Sequence, residues 1–373
     1  MRAAVLAILG FLAIPLLGLV GGDELALAAP AFIGVPASDR LVLPRPKVGR
    51  VRPLVVVVGE NAGAEVTDFI VPYGVLKESG VADVRAVSTR PGPLRLRMAL
   101  RIAPDQTLAE FDAAEPAGAD IVVVPAQMKP HDKALVDWIR AQALRGAVIV
   151  SVCEGARVVA RAGLLRGRHA TTHWGALNSL AKAYPDTAWV RDRRYVQDGP
   201  VISTTGVSAS VPVSLALVEA IGGRAAAEAT AARLGAADWS PAHRTAAFTL
   251  TRGEIVRALA VIAAVWSHET VEAPVADGVD EVGLALRADV WSRTFRARVV
   301  STRPGRAAVR SRHGLVILPD AEPRRGRHVI PAGPAPAIAQ LDAALAAIGR
   351  RYGPFAERMA RLGLEYEGQG LSR

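Results

Sequence analysis

Uninterrupted apolar runs, rather than alternating ones, set the rhythm of this 373-residue chain. Leu54-Val-Val-Val-Val-Gly59 is the clearest, and residues 83–88, 120–125 and 146–152 contain others. Runs of this kind predict strands buried on both faces, as in a parallel sheet covered by helices. Helical spacing over 67–79 and 133–144 supplies the crossovers between them. The alternation predicts an α/β fold: a flavodoxin-like, doubly wound parallel sheet, whose ligands bind beyond the carboxyl ends of the strands. The residues after Gly59, the loop after Pro125 and Cys153 all fall at such an end.

Composition adds bounds. The chain is 51% hydrophobic, enough for one full α/β domain and a smaller one. Its formal charge of +10 comes mostly from dispersed arginines with no basic block, which argues against a nucleic-acid footprint. Residues 1–20 carry Arg2 and then an apolar run, and Ala26-Leu-Ala28 offers a small-x-small cleavage site. Residues 1–29 therefore read as a secretory signal peptide, or as an uncleaved membrane anchor. The globular part is expected to be periplasmic or secreted in the first case, and held on a membrane facing outside the cytoplasm in the second. Residues 30–50 form a proline-rich linker, 51–240 the main domain and 241–273 a connecting helix.

Cys153 is the only cysteine, so no internal disulfide can form. Apolar β-formers lead into it, Glu154-Gly155-Ala156 turn the chain, and a helical pattern leaves it. That order describes a nucleophile elbow, and a thiol facing a helix N-terminus is expected to favour the thiolate. The alternative is a buried cysteine acting as a small hydrophobe.

The chain also repeats itself. Val87-Ser-Thr-Arg-Pro-Gly92 recurs letter for letter as Val300-Ser-Thr-Arg-Pro-Gly305, an offset of 213. The same offset places Asp280 and Glu281 on Thr67 and Asp68, and both copies close with Pro-Asp, at Pro104-Asp105 and Pro319-Asp320. Residues 274–373 thus read as a truncated repeat of the first domain with a C-terminal helix. Lacking a cysteine, the copy cannot host the same chemistry. Being too small to fold alone, it is expected to pack on the first domain or on a second subunit.

From Cys153 through Ala162-Gly-Leu-Leu-Arg-Gly-Arg-His-Ala-Thr-Thr-His-Trp174 the sequence resembles the DJ-1/PfpI (ThiJ/PfpI) superfamily of the class I glutamine amidotransferase-like fold. Leu54–Gly59 with Gly63-Ala-Glu-Val-Thr-Asp68, and Val201-Ile-Ser-Thr-Thr-Gly206 with Leu215-Ala-Leu-Val-Glu-Ala-Ile-Gly-Gly223, extend the likeness over roughly 51–234. The resemblance implies that Asp68 presents a carboxyl group to the Cys153 thiol and that His173 is a pocket histidine. Without it, Asp68 is a helix-start residue favoured by the dipole and His173 a histidine satisfied at a strand end. Glu154, Gly155, Ala126 and Gln127 are the candidate substrate-binding residues; Glu65, His131 and His169 read as surface residues. Neither a cofactor nor a metal is implied.

Two departures bear on the chemistry. Glu154 stands where isonitrile-hydratase-like members place a threonine, and Pro125-Ala126-Gln127 replaces Pro-Gly-Gly, so a backbone oxyanion nest is less free to form. The pattern is also close to the ligand domain of AraC-type regulators, yet no helix-turn-helix pair is visible. Two functions follow for a small-molecule partner. One is cofactor-independent Cys/Asp chemistry on a small electrophile, of hydratase, lyase or glyoxalase-like type; the other is a non-enzymatic ligand-binding or cysteine-oxidation sensor. A homodimer is compatible with both.

Overall fold

The valine run becomes strand β1 (Leu54–Gly59), a wholly buried interior strand of a seven-stranded sheet. The computed structural model describes residues 40–97 and 99–368, so the expected signal peptide lies outside the described residues. β1 pairs in parallel with β2 (Asp83–Ser88) on one side and β6 (Ile121–Val124) on the other. β7 (Val148–Ser151) and β9 (Val201–Thr204) continue the sheet in parallel, and β8 (Tyr195–Asp198) closes that edge antiparallel. The short β5 (Gln106–Thr107) closes the other edge. Taken in chain order, the five central strands lie 2-1-3-4-5, the flavodoxin-like arrangement.

Alternate residues of β1 feed two cores. Val55 and Val57 pack with helices α1 (Val66–Ser79) and α5 (Ser210–Gly222). Val56 and Val58 pack with α2 (Lys133–Leu144), α3 (Ala156–Arg161) and α4 (Trp174–Ala183). Both faces are covered, which is why the strands read as unbroken apolar runs. The described end of the linker is pinned: Lys47 N donates to Asp120 Oδ1 at 2.8 Å, and Arg50 pairs with Asp120 and Glu115.

The C-terminal residues build a second β-α-β unit from β10 (Glu269–Pro274), α6 (Glu281–Ser292) and β11 (Ala297–Thr302), with β10 and β11 parallel. The stretch read from sequence as a connecting helix does contain one, Arg252–Ala263, but its end belongs to β10. Its two glutamates hide the strand: Glu272 is buried and accepts from Arg324 N at 2.9 Å, and Glu269 pairs with Arg351 at 2.7 Å. Only tertiary partners make such a strand affordable.

The two units share a sheet and a helix interface. β3 (Leu94–Arg97) and β4 (Leu100–Ala103) form one hairpin, β12 (Val309–Arg310) and β13 (Val316–Ile317) another, and β13 pairs antiparallel with β4 at Ile317 and Ile102. α6 lies against α1 so closely that a Cβ on Gly74 would stand 2.5 Å from Val282 Cγ2. α7 (Ala337–Tyr352) and α8 (Pro354–Leu364) complete the chain.

The repeat is real in element order but slips in register. Glu65 caps α1 as Asp280 caps α6. Asp105 accepts from Ala86 N as Asp320 does from Ser301 N. These pairs are 215 positions apart, against 213 for the hexapeptide. Gly283, not Glu281, therefore stands where Asp68 does, and the acid is missing from the second unit as well as the thiol. Among the described residues, no helix is long and apolar enough to cross a membrane.

Candidate functional site

β7 ends at Ser151, Val152 remains extended, and Cys153 turns with φ of 56° into a single 3-10 turn before α3. A left-handed conformation costs a non-glycine residue roughly 1–2 kcal/mol, so it persists only where neighbours enforce it. Here Cys153 N donates to Thr204 Oγ1 at 3.1 Å, and Thr172 Oγ1 donates to the Cys153 carbonyl at 3.0 Å. Gly155 lets the turn press on β6: a Cβ there would lie 2.0 Å from the Val124 carbonyl oxygen. The loops after β6 and β9 and the elbow thus converge at one end of the sheet.

Asp68, on the first turn of α1, is fully buried. Ala126 N donates to its Oδ2 at 3.2 Å, whereas Oδ1 is buried with no hydrogen-bond partner. Burial pushes its pKa up to about 7. Ala126 therefore spends its N–H on the acid, and its carbonyl accepts from Glu65 N at 2.8 Å. The side chain of Gln127 is also engaged with backbone: Oε1 accepts from Glu60 N at 2.8 Å, and Nε2 donates to Val58 and Pro125 carbonyls. Glu154 pairs with Arg157.

Glu65 is no surface residue. It is 3% exposed, caps α1 by accepting from Asp68 N at 2.6 Å, and receives Arg293 Nη2 at 2.9 Å. Nothing local could have revealed this, since the partner is 228 residues away. Arg293 also forks onto Asp289, at 2.8 and 3.0 Å, and Asp289 accepts from Thr67 Oγ1 at 2.9 Å. Burial, then Asp289 and Asp68, raise the Glu65 pKa well above the usual range.

Burial works against the thiolate expectation. The Cys153 thiol is fully buried, and that burial, followed by Asp68, Glu154 and Glu65, raises its pKa well above the ordinary value; Arg293 pulls the other way. The helix that should favour the anion is one short stretch of six residues behind a 3-10 turn. Its dipole is outweighed by desolvation and by acids.

His173 caps α4, its Nδ1 accepting from Gly175 N at 3.1 Å, while its Nε2 is buried with no hydrogen-bond partner. Burial lowers its pKa, which keeps it neutral. Beside it lies Glu365, from the end of α8, whose carboxylate accepts from Gly206 N and pairs with His243 at 2.9 Å. A Cβ on Gly206 would collide with both Glu365 and His173. His131 is exposed, and His169 pairs with Asp198 at 3.0 Å away from the site. Thr172, Thr204, Asp289, Arg293 and Glu365 escaped sequence reasoning. Thr204 lay within a recognised strand and Thr172 within the quoted Ala162–Trp174 motif, but Asp289, Arg293 and Glu365 carry no motif.

A 2-1-3-4-5 parallel sheet with helices on both faces, ending in a cysteine elbow beside a buried acid, defines the flavodoxin-like α/β class. Within it, this chain belongs to the DJ-1/PfpI family, whose sequence model matches residues 54–220. It is 32% identical over 162 residues to isonitrile hydratase of Pseudomonas putida, covering 42% of this chain and 67% of that one. It is 30% identical over 155 residues to a deglycase of Pyrococcus horikoshii, covering 40% and 86%. The HTH-type transcriptional regulator CdhR of Pseudomonas aeruginosa is 35% identical over 102 residues, which span 26% of this chain and 30% of the regulator. Cys153, Asp68 and His173 lie inside the matched region; Asp289, Arg293 and Glu365 lie outside it.

Proposed function

We propose that this protein is an exported enzyme that performs cofactor-independent cysteine and acid chemistry on a small electrophile, of hydratase, lyase or glyoxalase-like type. The observation that carries the reading is the pairing of a neutral thiol at a strained elbow with Asp68, whose pKa of about 7 and unpartnered Oδ1 suit it to proton transfer. A group that titrates near neutrality can take a proton and return it within one cycle.

In the proposed step the Sγ–H proton passes to ionised Asp68 as Sγ bonds to the electrophilic carbon of an aldehyde or glyoxal-type carbonyl. For a carbonyl substrate the carbon–oxygen π pair moves onto oxygen, which takes the proton from Asp68. With a carbonyl this yields a hemithioacetal with no external oxidant or reductant. Two relatives named for hydratase and deglycase activity support a small reactive carbon as substrate. Glu154, in place of the threonine of isonitrile-hydratase-like members, weighs against an isonitrile substrate.

The test is to incubate the purified mature chain and Cys153→Ala with methylglyoxal, an isonitrile and peroxide, reading product and intact mass. Turnover that vanishes in Cys153→Ala supports the enzyme. Peroxide adding two oxygens to Cys153, with no turnover of either carbon substrate, would replace it with the oxidation sensor.

A further inference from the structure

The second unit has lost both its thiol and its acid, yet α6 sends two charged side chains into the site of the first. We propose that this degenerate unit is the other half of the Cys153 site: Arg293 is a positioning residue that holds Glu65, and through it the Asp68 end of α1, and supplies the cluster with a fully buried cation. The proposal rests on the reading of Cys153 and Asp68 given above.

The geometry is a relay across the interface. Arg293 Nη2 bonds Glu65 Oε1 at 2.9 Å, and Glu65 Oε2 accepts from Asp68 N at 2.6 Å. Asp289 grips the same guanidinium and takes Thr67 Oγ1 at 2.9 Å, so α6 is tied to α1 immediately beside the acid. Arg293 Nη1 donates to the Gly363 carbonyl at 2.8 Å, which fixes its third side to the end of α8. Only a planar fork satisfies so many acceptors at once.

Charge gives the arrangement its consequence. The charged groups that act on the thiol are Asp68 on α1, Glu65 at its N-cap, Glu154 at the elbow and Arg293 at the C-terminal cap of α6, while Asp289 of α6 and Arg97 of β3 face Arg293 and Glu65. Glu65, Asp68 and Asp289 are buried carboxyl groups within one apolar interface. Without the Arg293 cation, any thiolate or anionic adduct at Cys153 would face acids in a low-dielectric setting, where charges act over several ångströms with little screening. Burial works against the Arg293 charge, but Asp289 and Glu65 more than offset it and keep the guanidinium protonated.

The test titrates the thiol in the full chain by iodoacetamide alkylation against pH, read by intact mass, with melting temperature measured in parallel. Arg293→Met is expected to move the midpoint upward, making alkylation at fixed pH on the order of tenfold slower, a shift of about one pH unit. Arg293→Lys, which keeps the charge, should recover most of the rate. Asp289→Asn, which removes an anion, should move the midpoint down. A merely structural tie would loosen the site and speed alkylation in every variant. An Arg293→Met profile equal to or faster than that of the unaltered chain overturns the proposal. Should Arg293→Met fail to fold, Asp289→Asn against the charge-keeping Asp289→Glu decides, and equal midpoints for these two overturn it. No substrate enters the assay, so loss of the enzymatic reading would show separately, as turnover that survives Cys153→Ala.

Discussion

The carbonyl oxygen of Val124 occupies the space in which a side chain on Gly155 would begin, 2.0 Å from where its Cβ would stand. Gly155 has ordinary helical backbone angles, so close approach and not conformational freedom requires glycine there. The elbow can therefore sit directly on the end of β6, beside the loop whose Ala126 N holds Asp68. Gly155→Ala should destabilise the fold by roughly 2–4 kcal/mol and displace the thiol. Thermal melting with Cys153 alkylation tests this; an unchanged melt and alkylation rate would refute the packing argument.

Cys153 should behave as a reluctant thiol in the resting protein. Its alkylation midpoint is expected above the free-cysteine value of about 8.5, because burial and the neighbouring acids disfavour the anion. A midpoint below that value, by mass-detected iodoacetamide labelling, would restore the simple elbow picture.

Asp68 links activity to stability. Its pKa is raised to about 7 in the fold, so the folded state binds a proton that the unfolded state has released above about 4. The stability it contributes is present below that lower value and is lost as pH rises through about 7. Asp68→Asn, which stays neutral and still offers Ala126 N an acceptor, should match the unaltered chain near pH 4. By pH 8 it should be more stable by up to about 4 kcal/mol, while losing Cys153-dependent turnover. Denaturant melts across this range, showing no gain at high pH, would contradict the buried-acid assignment.

Removing residues 269–373 should cause aggregation or a new dimer. Gly74 lies against Val282 of α6, Tyr73 Oη donates to the His313 carbonyl and Ile102 pairs with Ile317, so these faces would be uncovered and the β4 edge would lose its partner. Light scattering and sedimentation decide the matter. A soluble monomer melting at the original temperature would show that the first unit needs no cover.

Export remains to be measured at the N-terminus. The mature chain is expected to begin near Ala29 and to be found outside the cytoplasm. Sequencing of fractionated protein that instead found Met1 in a membrane fraction would favour the anchor, and Met1 in soluble cytoplasm would reject both.

The central sheet and the elbow at Cys153 were legible in the sequence because each depends on neighbours in the chain, whereas Asp68 was singled out only by the family resemblance. Unbroken valine runs report burial on both faces, and a strand-turn-helix order reports the elbow. The recurrence of Val87–Gly92 at Val300–Gly305 likewise announced the second unit, although its offset of 213 is two short of the 215 shared by the helix caps and the strand hydrogen bonds. What the tertiary structure alone decided was charge and burial. Glu65 reads as a surface residue until Arg293 arrives from 228 positions away, and Glu269 and Glu272 argue against a strand until Arg351 and Arg324 meet them. The thiol's protonation followed the same rule: a helix N-terminus is visible locally, but the desolvation and surrounding acids that outweigh it exist only once distant segments close over Cys153.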